Sequence, residues 1–197
     1  HCWVDAVRGV GKYIQSDNNS AEVNNSTNSI SAFTSDGFTV GTGNPANESA
    51  STTKGFMSWN WKANGQGSSN TDGSISSTVS ANTTSGFSIV KYTGTGSNAT
   101  VGHGLNSIVK VIFNKRLDNS ASWTCGISAM PNGWQDYLRL DTNTTFGVNN
   151  NIWQATAPTT SKFYIGHDDV NTSGSEYIAY CFAEKKGYSK FGSYTGN

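Results

Sequence analysis

The chain has 197 residues, with 13 Lys plus Arg against 13 Asp plus Glu, so its formal charge at pH 7 is zero. Charged residues are 13% of the chain, about half of the usual ~25%, and no basic stripe exists to neutralise phosphates; nucleic-acid binding and attachment to an anionic bilayer are not expected. Aromatics at 12% argue against disorder, and no apolar run approaches the ~18 residues of a membrane span.

Strand signals dominate in chain order. Short β-branched or aromatic runs alternate with Gly, Asn, Asp and Ser clusters at roughly 8–12-residue spacing, the pattern of a sandwich or barrel. The clearest strands are expected at Lys12–Ser16, Gly37–Val40, Gly55–Lys62, Gly86–Tyr92, Ser107–Lys115, Ser122–Ile127, Asp136–Asp141, Lys162–Gly166, Glu176–Ala183 and Lys190–Tyr194. In Phe56-Met57-Ser58-Trp59-Asn60-Trp61 one face carries Met57, Trp59 and Trp61; in Tyr177–Phe182 the matching face carries Ile178, Tyr180 and Phe182. A period of two with one bulky face marks a half-buried antiparallel strand, so Trp59 and Trp61, with Trp123, are expected in the core. One helical turn is possible near Ser20–Asn24, and residues 18–31 read as a long loop.

A longer period overlies this one. Gly86-Phe87-Ser88-Ile89-Val90-Lys91-Tyr92-Thr93-Gly94 matches Gly187–Gly196 with one inserted residue, and Phe56–Trp61 matches Tyr177–Phe182. Phe38–Gly41 matches Phe163–Gly166, and Trp3 with Tyr13–Asp17 matches Trp123 with Tyr137–Asp141. The repeat is about 100 residues long, the size of a domain. The expected organisation is the back part of a first β-sandwich unit at 1–63, a Gly/Ser-rich linker with a short strand at 64–85, a complete unit at 86–186, and the opening strand of a further unit at 187–197. Such incomplete units would expose sheet edges and invite strand addition within the chain or between copies.

The candidate chemistry is sparse. Cys2, Cys125 and Cys181 are three, an odd number, with no Cys-x-x-Cys; free buried thiols, a disulfide or a metal site are the readings open to them. His103, between Gly102 and Gly104, is either a ligand contact or a loop histidine bonded to backbone. His167-Asp168-Asp169-Val170-Asn171 is the densest group of potential ligands. Asp168, Asp169 and Asn171 could contribute to a Ca²⁺ site, which needs six to eight oxygens, or could form an Asp-rich turn. Trp134, beside Gln135 and Asp136, and Trp153 could stack on a sugar ring or plug the end of the core. No Gly-x-Ser-x-Gly is present, and Asp136 and Asp141, five residues apart, fall on opposite strand faces; no paired carboxylates emerge for glycoside hydrolysis.

The stretch Asp72–Gly96, with Thr100-Val101-Gly102-His103-Gly104-Leu105, Thr156–Ser161 and Tyr177–Asn197, resembles a repeated domain, largely of unknown function, in structural proteins of cyanophages and related marine bacteriophages. The resemblance covers nearly the whole chain. It departs from that pattern at Asn106-Ser107-Ile108, where a Pro is expected, and at Thr124-Cys125-Gly126. It implies a concanavalin- or laminin-G-like fold, a setting in which end loops often hold Ca²⁺, and it brings no catalytic residues.

The expectation is therefore an all-β protein: an antiparallel β-sandwich of jelly-roll or laminin-G-like type, with a second partial or strand-complemented sandwich. The expected role is a virion appendage, a tail fibre or capsid-surface fibre, outside the cell. Its expected partners are other copies, other virion proteins and host-surface glycans held weakly, with no cofactor beyond a possible Ca²⁺ and no catalysis. The alternatives are a polysaccharide depolymerase and a secreted bacterial lectin or self-assembling surface protein.

Overall fold

The computed structural model describes residues 2–25, 27, 29–43, 46–47 and 55–196. Its elements are β1 (Cys2–Trp3), β2 (Lys12–Gln15), β3 (Val23–Asn24), β4 (Ile30–Phe33), β5 (Phe38–Val40), β6 (Ser68–Asn70), β7 (Ser77–Asn82), β8 (Phe87–Thr93), β9 (Ala99–Gly102), β10 (Val109–Arg116), β11 (Thr124–Ile127), β12 (Asp136–Arg139), β13 (Gly147–Val148), β14 (Lys162–Ile165), a four-residue helix α1 (Asp168–Asn171) and β15 (Glu176–Ala183). The fold is all-β and antiparallel, with sandwich packing around one large sheet.

That sheet has eight strands in the order β13-β12-β11-β10-β15-β8-β7-β6. Its centre is β15, paired on one side with β8, Phe182 opposite Phe87 and Tyr177 opposite Tyr92, and on the other with β10. The alternation along β15 explains why it is central. Tyr177, Ala179, Cys181 and Ala183 enter one core, while Ile178 and Tyr180 enter another, so both faces of the strand are buried.

On the front face, Val79, Val90, Tyr92 and Ile112 pack against Val101 of β9, Phe163 and Ile165 of β14, and the loop residues Leu105, Trp134, Ile152 and Trp153. On the back face, Phe87, Ile89, Ile178, Tyr180 and Trp123 pack against Ile14, Trp3 and Val7. The back layer is thus built from residues 3–14, which belong to the β1-β2-β3 sheet and its turn. Hydrogen bonds fix it: the Trp123 indole donates to the Gln15 carbonyl at 2.7 Å, and Glu22 N–H donates to Leu117 O at 2.8 Å. Its polar centre is the buried Arg8, whose guanidinium meets Asp5, Glu22 (3.3 Å), the Trp3 carbonyl (2.9 Å) and the Tyr180 hydroxyl (3.1 Å), while that hydroxyl donates to Asp5 at 2.7 Å. A buried cation is tolerable only with this density of partners.

The 64–85 stretch, read from sequence as a linker with one short strand, carries β6 and β7, the edge of the large sheet. Other expectations are corrected outright. Residues 55–62 form no strand: the alternation is present, but no neighbouring backbone among the described residues satisfies it, and a strand exists only as part of a ladder. Met57 is consequently 84% exposed and Trp59, expected in the core, 74%, while Trp61, also expected in the core, stays 44% exposed and leans on Trp3, Phe87 and Phe182. Residues 190–194 likewise form no strand, and the turn expected near Ser20–Asn24 contains β3 instead. Trp123 is fully buried, as expected. Cys125 and Cys181 are buried free thiols, pushed far up by burial, and Cys2 is a half-buried free thiol pushed up to about 11, again mainly by burial.

Candidate functional site

Among the described residues, an open concavity lies where β12, β13 and α1 meet. It is an open depression of about 710 Å³ lined by Ser120, Ser122, Tyr137, Arg139, Thr142, Thr144, Thr145, Phe146, Gly147 and Asp169. Its floor is strand β12, where Tyr137 and Arg139 stand two residues apart and so share a face. The Arg139 guanidinium lies 5.0 Å from the centre of the Tyr137 ring, donates to Thr124 Oγ1 at 2.9 Å and reaches Asp169 Oδ2 at 2.7 Å. Gly147 faces Tyr137 across the β12–β13 pair; a Cβ there would stand 2.5 Å from the tyrosine ring, so only glycine lets the ring lie flat in the floor. The rim is the threonine run after β12, with Thr142 and Thr144 hydroxyls 2.8 Å apart, and the exposed ring of Phe146.

Asp169 is placed by its helix. The Tyr92 hydroxyl donates to the Val170 carbonyl at 2.7 Å, and the Tyr177 hydroxyl donates to the Asp168 carbonyl at 2.9 Å; the two rings, stacked at 5.3 Å, carry α1 on the sheet. His167 caps the helix, its Nδ1 accepting from Asp169 N–H at 3.2 Å. The depression thus combines two aromatic rings, one guanidinium, one carboxylate and at least five hydroxyls. Such a set can stack on a pyranose face and exchange hydrogen bonds with its hydroxyls.

The residues singled out from sequence are scattered. Trp134 and Trp153 are 7% and 1% exposed and pack edge-to-face at 5.8 Å inside the front core, so neither offers a ring to a sugar. Asp136 is buried and accepts from Asn132 N–H (2.8 Å) and Asn132 Nδ2 (2.9 Å), which closes the loop before β12; Gln135 is exposed on that loop. His103 is fully buried, with Nε2 3.2 Å from the Thr159 carbonyl and Nδ1 accepting from Leu105 N–H, and burial holds its imidazole below the usual histidine range.

The possible Ca²⁺ ligands do not converge. Asp169 is spent on Arg139, the buried Asn171 amide accepts from Thr95 N–H and donates to Ser97 O, and Asp168 is exposed. Among the described residues no group of three or more His, Cys, Asp or Glu is placed to hold a metal. Three engaged or divergent side chains do not fit an ion that needs six to eight oxygens.

Sequence reasoning missed Tyr137, Arg139 and Phe146. The available signal was the i, i+2 pair of a ring and a guanidinium on one predicted strand, followed by Thr142-Asn143-Thr144-Thr145.

A family model described as a domain of unknown function, DUF7483, matches residues 1–197. Neither the curated proteins nor the solved structures contain a match.

Proposed function

Since the chain belongs to the DUF7483 family, its role is argued from its own residues, and we propose that it is a structural module of a bacteriophage appendage, a tail or capsid-surface fibre, that touches host-surface glycans weakly. The observation that carries the reading is the hydroxyl-lined depression floored by Tyr137 and Arg139. It is wide and open, so a sugar would bury little surface, and affinity would come from many modules acting together. The zero net charge and low charge content of the chain support the same reading, because they supply no long-range field to draw in a polyanion. So does the 100-residue internal repeat, which is how arrays of modules are encoded.

The test is binding of the chain, displayed multivalently on beads, to a glycan array and to host-type cell envelopes. Tyr137→Ala and Arg139→Ala are expected to lower retention about tenfold each, the loss of one stacking or charge-assisted contact. Retention unchanged by both substitutions would sink the glycan reading. Steady release of reducing sugar would replace it with the depolymerase.

A further inference from the structure

We infer that residues 56–61 are an assembly strand that pairs antiparallel with residues 188–194 of a second copy of this chain. The template is in the molecule itself. By the internal repeat, Phe56–Trp61 is the counterpart of Tyr177–Phe182 in β15, and Gly187–Gly196 is the counterpart of Gly86–Gly94 around β8. In the structure those counterparts form one of the central ladders of the large sheet, Tyr177 opposite Tyr92, Ala179 opposite Val90 and Phe182 opposite Phe87. Their repeats sit in the same chain with no ladder between them. No backbone hydrogen bond joins them, although Trp61 and Phe191 both touch the ring of Phe182, at 6.1 and 6.3 Å. One chain thus carries both halves of a strand pair without pairing them: among the described residues 56–61 lie in no ladder, and residues 188–194 are held by the isolated Lys185–Ser189 bridge and a Phe191 N–H bond to Glu184.

The exposure is that of an interface. Phe56, Met57, Trp59 and Trp61 are 55, 84, 74 and 44% exposed in one extended run, and Tyr188 and Tyr194 are 66 and 95% exposed. Contiguous aromatic exposure of this kind marks a contact surface rather than scattered apolar residues. Transferring the β15–β8 register sets Trp61 opposite Tyr188, Asn60 opposite Ser189, Trp59 opposite Lys190 and Ser58 opposite Phe191. The extra residue of the second segment then falls at Gly192-Ser193 as a bulge, and Phe56 meets Tyr194. The Trp59–Lys190 pair adds a cation over an indole; Lys190 is now 3.5 Å from Glu184 with its side chain 86% exposed, so it is free to turn. A second copy satisfies both halves at once, because a two-fold arrangement makes each pairing twice. The inference is independent of the glycan contact, which uses β12, β13 and α1, whereas Trp61 and Phe191 lean on β8 and β15.

The experiment is disulfide trapping in the full chain, with Cys2→Ser throughout so that the native thiols left are the buried Cys125 and Cys181. Chains carrying Asn60→Cys are mixed with chains carrying Ser189→Cys under mild oxidation. Opposed strand residues stand within disulfide reach, whereas Lys190→Cys presents its thiol on the other face. The expected result is a disulfide dimer in the 60/189 mixture and none in the 60/190 mixture. Trp59→Ala is expected to shift the wild-type dimer to monomer by sedimentation. A cross-link formed only inside the double variant Asn60→Cys/Ser189→Cys would assign the pairing to one chain and overturn the proposal. So would a wild-type chain that stays monomeric at ~100 µM with both single variants folded. Glycan retention by the same variants is expected to be unchanged, so failure here leaves the proposed function standing.

Discussion

His103 shows how a buried side chain makes a loop sensitive to pH. Its Nδ1 accepts from Leu105 N–H, so the neutral ring with hydrogen on Nε2 is the form that fits. Protonating Nδ1 would set a donor against a donor. Burial lowers the folded pKa below the ordinary histidine value of 6.5, so the unfolded chain binds more protons around and below that pH. The stability His103 contributes is therefore present above about pH 6.5 and is lost as the pH falls through the folded value. Denaturation of wild type and His103→Asn between pH 7 and pH 5 is expected to show the wild type losing stability more steeply, by at most ~1.4 kcal/mol per pH unit. Parallel curves would show that His103 takes up its proton over the same pH range folded and unfolded, and would overturn this reading. Tyr180 makes the complementary case. Tyr180→Phe strips one acceptor from Arg8 and one donor from Asp5 in a dry site, and is expected to cost about 1–3 kcal/mol.

At the scale of elements, strands with bulky alternation were legible and polar ones were not. Glu176–Ala183 was read to the residue from the bulky period of Ile178, Tyr180 and Phe182, though as a half-buried strand where both faces are buried. β6 (Ser68-Ser69-Asn70) and β7 (Ser77–Asn82) fall in the stretch read as a linker with one short strand: serines and threonines dominate them, and backbone pairing of β7 with β8, and of β6 with β7, makes them strands. Residues 56–61 fail in the reverse direction, since periodicity reports which face could be buried and not whether a partner is present. For Trp134 and Trp153 the sequence left a sugar-stacking and a core reading open, and the structure decides for the core. Gly126 on β11 leaves the space they fill, and a Cβ there would lie 2.6 Å from Trp134 and 2.9 Å from Trp153. Gly126→Ala must push both rings, and is expected to destabilise the chain by about 1–3 kcal/mol and to change its near-ultraviolet circular dichroism. An unaltered spectrum and midpoint would mean that the front core is looser than this packing.

For the whole molecule, the decisive contacts join residues far apart in sequence. Arg8 meets Tyr180 and Gln15 meets Trp123, so the N-terminal layer and the large sheet share one core. Cooperative unfolding in a single transition is expected, with Tyr180→Phe lowering the midpoint of the entire curve by calorimetry. Two transitions, only one of them shifted, would show that the N-terminal layer melts separately. None of these long-range pairs carries a sequence signature, and the depression at β12 and α1 exists only because the Tyr92 and Tyr177 hydroxyls bring a distant aspartate to Arg139. The site was less legible than the fold for that reason: alternation is local, and convergence is not.

The buried thiols carry a last consequence. Cys181 lies inside the front core and Cys125, opposite Phe113 on the other face of the sheet, is equally buried; both are ordinary small packing groups, and rings rather than sulfur bridges close both cores. Burial keeps these sulfurs protonated and out of reach, which removes the nucleophile that thiol exchange requires. Neither core therefore depends on the redox state of its surroundings, and glutathione should leave the melting curve where it was, while the half-buried Cys2 and the exposed Met57 are the sulfurs an oxidant reaches.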